Sequence, residues 1–227
     1  MSRLICTFVM IVSFAAQGQT TAPTTAPSDE FARQLDTIDQ RAGAIHSLEA
    51  DFVQEKRSPL LRKPLVSRGS VRAKGGLALW KTSEPEPSQM SIDPQTLRMY
   101  YPKQRTIEEY AMQQQLGMMA ASPLPRLSAI RKSFSAKSDA GNSGSIVMVR
   151  MEPIDAELRK YVDHVRVALD ADRGVVTEFE MVDPDGEQTI IKFTNIRTDV
   201  NLSDEALKLD APAGTKVIRP LEGAPSR

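Results

Sequence analysis

The sequence predicts a mainly β (α+β) fold: a long antiparallel sheet that curls on itself, with helices filling its mouth above an apolar cavity. Three observations predict it. Apolar residues alternate with period two in segment after segment, the mark of strands with one buried face. The turns between them are too short for parallel crossovers, which need a dozen residues or more. A Met-rich, helix-favouring stretch breaks the strand series near the middle of the chain. A sheet this long tends to close or half-close.

The chain starts with a different kind of segment. Met1-Ser2-Arg3 is basic, Leu4 to Ala16 is apolar or small, and Ala16-Gln17-Gly18 places small residues where a signal peptidase reads. Residues 1–18 are therefore expected to be a secretory signal peptide; the apolar run falls short of the roughly 20 residues of a membrane span. Residues 19–30, beginning QTTAPTTAPS, have little to bury and are expected to be a disordered linker. The folded domain is expected over 31–222, with a short tail at 223–227. Cys6, the only cysteine, leaves with the leader, so the mature domain has to stand on its core without disulfides.

Asp29 to Ser47 is predicted to be a helix, with Phe31, Leu35, Ile38, Ala42 and Ile45 in one stripe. From Leu48 the period changes to two, and Leu48, Ala50 and Phe52 share a face. Strands follow at Leu65–Lys74, Leu77–Thr82, Gln89–Ile92, Leu97–Tyr101 and Thr106–Tyr110. Gly75-Gly76, Pro85-Glu86-Pro87, Asp93-Pro94 and Pro102-Lys103 supply the turns. Met112–Ala121 is the helix-favouring stretch, and Leu127, Ile130 and Phe134 predict a second short helix. The region 113–132 is expected to lie over the concave face. Strands resume at Ser145–Met151, His164–Asp170, Val175–Val182 and Glu187–Ile196, with a hairpin signal at Asp183-Pro184-Asp185-Gly186. A turn at Leu202–Leu207 and strands at Lys208–Asp210 and Lys216–Ile218 close the chain. Leu77 and Leu79 oppose Ala78 and Trp80 on their strand, so that strand is expected to be covered on both sides, as by a lid.

The chemistry of the chain points to binding. Lys and Arg total 29, as do Asp and Glu, so no basic surplus suggests nucleic acid. His46 and His164 are isolated. Glu108 and Glu109 are adjacent on a strand and face opposite sides, a poor acid–base pair. Gly75-Gly76 precedes no helix, so it is a turn and not a phosphate loop. No nucleophile elbow or zinc motif occurs, and no catalytic residue, metal or cofactor is expected. Met112, Met118 and Met119, with Met90 and Met99 on strands, form the informative group. Methionine is unbranched and suits surfaces that accept varied apolar ligands, although ordinary core packing uses it too. The predicted cavity lining is Phe52, Leu65, Val71, Trp80, Met99, Met112, Met118 and Met119. Burial of acyl chain is worth about 0.8 kcal/mol per CH₂, so a chain of about 16 carbons leaves a bilayer only for a large sheltered apolar space.

Four segments resemble the LolA family of lipoprotein carriers, in the right order and spacing. They are SLEADFVQ (47–54) after the leading helix, SRGSVRAKGGLALWKTSEP (67–85), LRMYYPKQRTIEEY (97–110) and FTNIRTDVNLSDEALKLDAPAGTKVI (193–218). The resemblance implies an open, strongly curved antiparallel half-barrel with a helical lid, and lipoprotein acyl chains or other lipids held between sheet and lid. It implies a periplasmic monomer that accepts cargo from an inner-membrane release transporter and passes it to an outer-membrane acceptor. The family's best-known members carry an Arg-Pro in the turn before the Trp-bearing strand, and that Arg holds the lid closed. Here the turn reads Ala73-Lys74-Gly75-Gly76, so Lys74 stands in its place, with Arg72 on the same face as a second latch candidate. A Lys lacks the Arg fork, which implies a looser lid. Two other readings remain open: a periplasmic lipid or lipoprotein sensor of the same fold, which usually carries a further C-terminal domain, and a secreted hydrolase or carbohydrate-binding β-domain. The short stretch after Ile218 favours the carrier over the sensor, and the single Trp and missing catalytic set speak against the third.

Overall fold

A computed structural model describes residues 27–111, 124 and 127–220. The leader, most of the linker, Met112, Met118 and Met119 lie outside the described residues, as does most of the region expected to form the lid. Helix α1 spans Pro27–Ala44, starting two residues before the expected point, inside the stretch read as linker. It ends three residues early, and Ile45 follows it, with its N–H bonded to the Ala42 carbonyl at 3.2 Å. The strands are β1 (Ser47–Arg57), β2 (Leu65–Lys74), β3 (Leu77–Glu84), β4 (Ser88–Ile92), β5 (Thr96–Tyr101) and β6 (Thr106–Ala111). After α2 (Leu127–Ile130) come β7 (Phe134–Ser138), β8 (Ile146–Pro153), β9 (His164–Asp170), β10 (Val175–Val182), β11 (Gln188–Thr198) and β12 (Lys216–Ile218).

Among the described residues these strands make one 12-stranded sheet in the order β12-β6-β5-β4-β3-β2-β1-β11-β10-β9-β8-β7. It is open: β12 and β7 end it and do not pair with each other. Neighbours are antiparallel except β12, which runs parallel to β6. The fold is the expected mainly β, open sheet with helices. Local chemistry explains its turns. Gly75 and Gly76 both have positive φ (60° and 87°), which a two-residue hairpin of the favoured twist requires. In the β10–β11 hairpin the Asp183 carboxylate accepts from the N–H groups of Asp185 (3.0 Å) and Glu187 (2.9 Å).

One side of the sheet, the core face, carries Leu48, Ala50 and Phe52, Val71 and Ala73, Ala78 and Trp80, and the alternating valines of β8 and β9. Leu35 and Ile38 of α1 and Leu127 of α2 pack on it, exposing 2 % or less. Burial of each such side chain contributes about 1.5–3 kcal/mol. The two helices are tied together: both Asp39 carboxylate oxygens cap α2, accepting from Leu127 N–H (2.8 Å) and Ser128 N–H (3.2 Å). Asp36 pairs with Arg131 beside them.

Three expectations need correction. The second short helix does not reach Phe134. It stops at Ile130, and Phe134 opens β7, buried opposite Pro153; its helical spacing from Leu127 and Ile130 was coincidental because a turn separates them. Lys208–Asp210 is not a strand. Ser203 caps a short 3₁₀ turn, Asp204–Leu207, and Asp210 N–H then donates to the Gln89 side chain at 2.8 Å. Lastly, the second covered side of β3 faces the C-terminal segment. Leu79 and Tyr100 on the outer face are buried, as are Leu202 and Leu207 of that segment, and the 3₁₀ turn packs on β2 and β3.

Candidate functional site

Register places one line of side chains across the core face. Ala50 lies opposite Val71, Val71 opposite Trp80, Trp80 opposite Met90, Met90 opposite Met99, and Met99 opposite Glu108. On the other side of β1, Phe52 lies opposite Phe193. The Trp80 ring meets Phe52 edge-on with centroids 5.0 Å apart, and Phe193 at 5.8 Å. Such aromatic contacts contribute about 0.5–1.5 kcal/mol beyond area burial. Gly69, opposite Phe52, makes room for this cluster: a Cβ there would lie 2.9 Å from the Phe52 ring and 2.0 Å from the Lys81 carbonyl oxygen.

Cover on this face is uneven. Along β1 burial falls from Leu48, with no exposure, to exposed Lys56 and Arg57. Met90, Phe179, Met181 and Ile191 pack on the core while remaining partly exposed. Met99 is likewise half-buried. Trp80 is 7 % exposed, and its Nε1–H is fully buried with no hydrogen-bond partner among the described residues. At the β6 end the line turns polar. The Glu108 carboxylate accepts from the Tyr110 hydroxyl at 2.8 Å and the Tyr101 hydroxyl at 3.3 Å. Burial, then the Glu108 charge, pushes the Tyr101 phenol above its ordinary range; the Glu108 hydrogen bond, then burial, does the same for Tyr110. Both remain protonated donors at neutral pH.

The sequence-derived lining residues fall as follows. Phe52, Val71 and Trp80 are buried together on the core face, and Met99 joins their line two strands on. Leu65 belongs to that face by alternation with Val71 but sits at the far end of β2, 58 % exposed. Lys74 and Arg72, the latch candidates, alternate with Ala73 and therefore point to the outer face. There the Lys74 ammonium donates to the Leu202 carbonyl (2.8 Å) and Asp204 (3.0 Å). Arg72 donates to Glu49 from Nε and a terminal nitrogen at 3.3 and 3.1 Å. These contacts hold strands and C-terminal segment; on the core face Asp39 and Asp36 tie α1 to α2. Phe193, Phe179, Met181 and Ile191 were missed as lining. That they share the face of Trp80, and that Phe193 meets its ring, depended on β11 pairing with β1.

Glu108 and Glu109 do face opposite ways, since Glu109 is bound by Arg98 (2.7 Å) and Arg219 (2.8 Å). Among the described residues the His164 ring pairs with its neighbour Asp163, at 2.6 Å. Among the described residues no His, Cys, Asp and Glu are grouped to hold a metal, and no helix is long and apolar enough to cross a membrane. The arrangement offers an apolar, aromatic and Met-bearing face with a polar rim.

Comparison with known proteins gives a family and a fold. The family model described as outer membrane lipoprotein carrier protein LolA matches residues 44–210. An outer-membrane lipoprotein carrier protein of Neisseria gonorrhoeae is 24% identical over 196 residues, covering 86% of this chain and 91% of the relative. One of Ralstonia nicotianae is 26% identical over 195 residues, covering 79% and 88%. Among solved structures, an uncharacterized conserved protein of Thermus thermophilus superposes with a TM-score of 0.56 at 11% identity, covering 84% of this chain and 99% of that one. The crystal structure of MucB gives 0.51 at 14% identity, covering 82% and 64%. These two likenesses concern the fold alone.

Proposed function

This chain belongs to the LolA family of outer membrane lipoprotein carrier proteins, and from that premise we propose that it is a periplasmic carrier that shelters the acyl chains of lipoproteins on its core face. The observation that carries the reading is the apolar line Val71–Trp80–Met90–Met99, flanked by Phe52 and Phe193 and incompletely covered at one end. Met90, Phe179 and Met181 pack on this core while staying partly exposed, which supports a face that can admit a further apolar ligand. The relatives carry the name of lipoprotein carriers, and the role proposed is binding and hand-over, not catalysis. The reading includes export by the leader at 1–18, a single domain over 31–222, and uptake from an inner-membrane donor with delivery to an outer-membrane acceptor. Phe52, Leu65, Val71, Trp80 and Met99 are its proposed lipid contacts, with Met112, Met118 and Met119 added by the same reasoning.

The test is complex formation with a lipidated lipoprotein and with the same protein lacking its acyl groups. The acylated form should co-elute with the carrier as a soluble complex. Equal binding of the unacylated form, or binding of neither, would remove the reading.

A further inference from the structure

We propose that the indole N–H of Trp80 is the donor that fixes a carbonyl oxygen at the head of a bound acyl chain, so that the face reads the acyl ester as well as the hydrocarbon. The inference rests on the carrier reading and adds to it a recognition element. Its basis is an unpaid hydrogen bond. A buried N–H is nearly always partnered, because leaving it dry and unpaired costs more than a typical hydrogen bond gains. Trp80 is 7 % exposed and its Nε1 is buried and unpartnered. A phenylalanine would fill an apolar core without that cost, so the donor calls for an acceptor.

Position selects the acceptor. Trp80 stands between two different environments on the core face. On one side are Phe52 and Phe193, continuing to Ile191 and, opposite it, Phe179. On the other, Met90 and Met99 lead to Glu108 with its two tyrosines. A ligand with an apolar chain along the aromatic side and a polar head toward the rim has its junction at Trp80. In an acylated lipid that junction is a carbonyl, an acceptor with no hydrogen of its own. The rim offers the head an acceptor, Glu108, and phenols already engaged with it, so along the described line from Trp80 through Met90 and Met99 to Glu108 the Trp80 indole is the donor left for the carbonyl.

The chain contains one tryptophan, so its indole ¹H–¹⁵N cross-peak is a single, assigned reporter in the intact protein. Three probes are titrated: a short-chain diacylglycerol, its dialkyl ether analogue, and laurate. With the diester the indole proton should move downfield, and binding should be about tenfold tighter than for the diether, the size of one net hydrogen bond. That ester-over-ether ratio should collapse toward one in Trp80→Phe. Laurate giving the same shift would broaden the acceptor to free fatty acid; laurate without it would confine the acceptor to esters. Three results overturn the proposal: equal indole shifts with diester and diether, an unchanged preference in Trp80→Phe, or an indole proton that exchanges freely with solvent and so already has water as its partner. With both probes bound, those results leave the carrier reading standing. If neither lipid binds, both fall.

Discussion

Replacing Asp39 by alanine removes the two acceptors that cap α2, Leu127 N–H at 2.8 Å and Ser128 N–H at 3.2 Å. Loss of a capping carboxylate typically costs about 1 kcal/mol and up to about 2. The neighbouring Asp36–Arg131 pair will not compensate, because its side chains are 55% and 30% exposed and pairs of that kind contribute about 0–1 kcal/mol. Alanine also favours the α1 helix slightly over aspartate, so α1 itself should not loosen. The loss therefore falls on α2 and on how firmly Leu127 is held against Leu35 and Ile38. Native-state hydrogen exchange reads it at Arg131 and Ser133, whose amides bond to Leu127 and Ile130 carbonyls at 2.9 Å. Both should exchange about 5- to 30-fold faster in Asp39→Ala, while amides shared by β1 and β11 stay as they were. Asp39→Asn, with one acceptor left, should fall between. Unchanged rates at Arg131 and Ser133 would refute the capping argument. An equal acceleration across β1 and β11 would refute its local character, since it would mean that α2 opens only with the whole domain.

Three further expectations follow from particular contacts. Gly69→Ala forces a Cβ against the Lys81 carbonyl and the Phe52 ring and should destabilise the domain by about 1–3 kcal/mol or more, read as a lower urea midpoint; an unshifted midpoint would show that the β2–β3 pairing, whose register shifts between Arg68 and Gly69, yields freely there. Lys74→Met removes the bonds to Leu202 and Asp204, worth about 1 kcal/mol together at this exposed site. It should speed exchange at Ala206 and Lys208 without touching Arg131, whereas a change at Arg131 would support Lys74 as a lid latch. Arg98 and Arg219 hold Glu109, and Arg166 holds Asp139, below their ordinary values of 4.5 and 3.8. Groups depressed in the folded state add stability above those ordinary values and lose it as pH falls through the depressed ones. Stability should therefore decline on acidification below about pH 4.5, with a shallower decline in Glu109→Gln; identical slopes for the two proteins would exclude the Glu109 cluster as a cause.

Much of this molecule was decided locally, and so was legible in the chain. The bounds read at Leu65–Lys74, His164–Asp170 and Val175–Val182 match β2, β9 and β10 residue for residue, because period two and bounding turn residues are properties of neighbours in sequence. The hairpins at Gly75-Gly76 and Asp183–Gly186 were readable for the same reason. Alternation also told which residues share a face within one strand, as Ala50 with Phe52 or Ala78 with Trp80; that Phe52, Val71, Trp80 and Met99 share one face of the sheet follows from the pairing of their strands. What it could not supply is which strand lies beside which. Phe193 meets Trp80 only because β11 returns to pair with β1 across more than a hundred residues of chain. The outer cover of Leu79 comes from a segment near residue 202, whose own pattern gave no sign of its destination. Lys74 carries the same charge whether it faces a lid or the Leu202 carbonyl, and only the tertiary path of the C-terminal segment chose between them. The orphan N–H of Trp80 is the clearest case: the residue was visible in the sequence, but whether its nitrogen has a partner depends on every strand that packs around it.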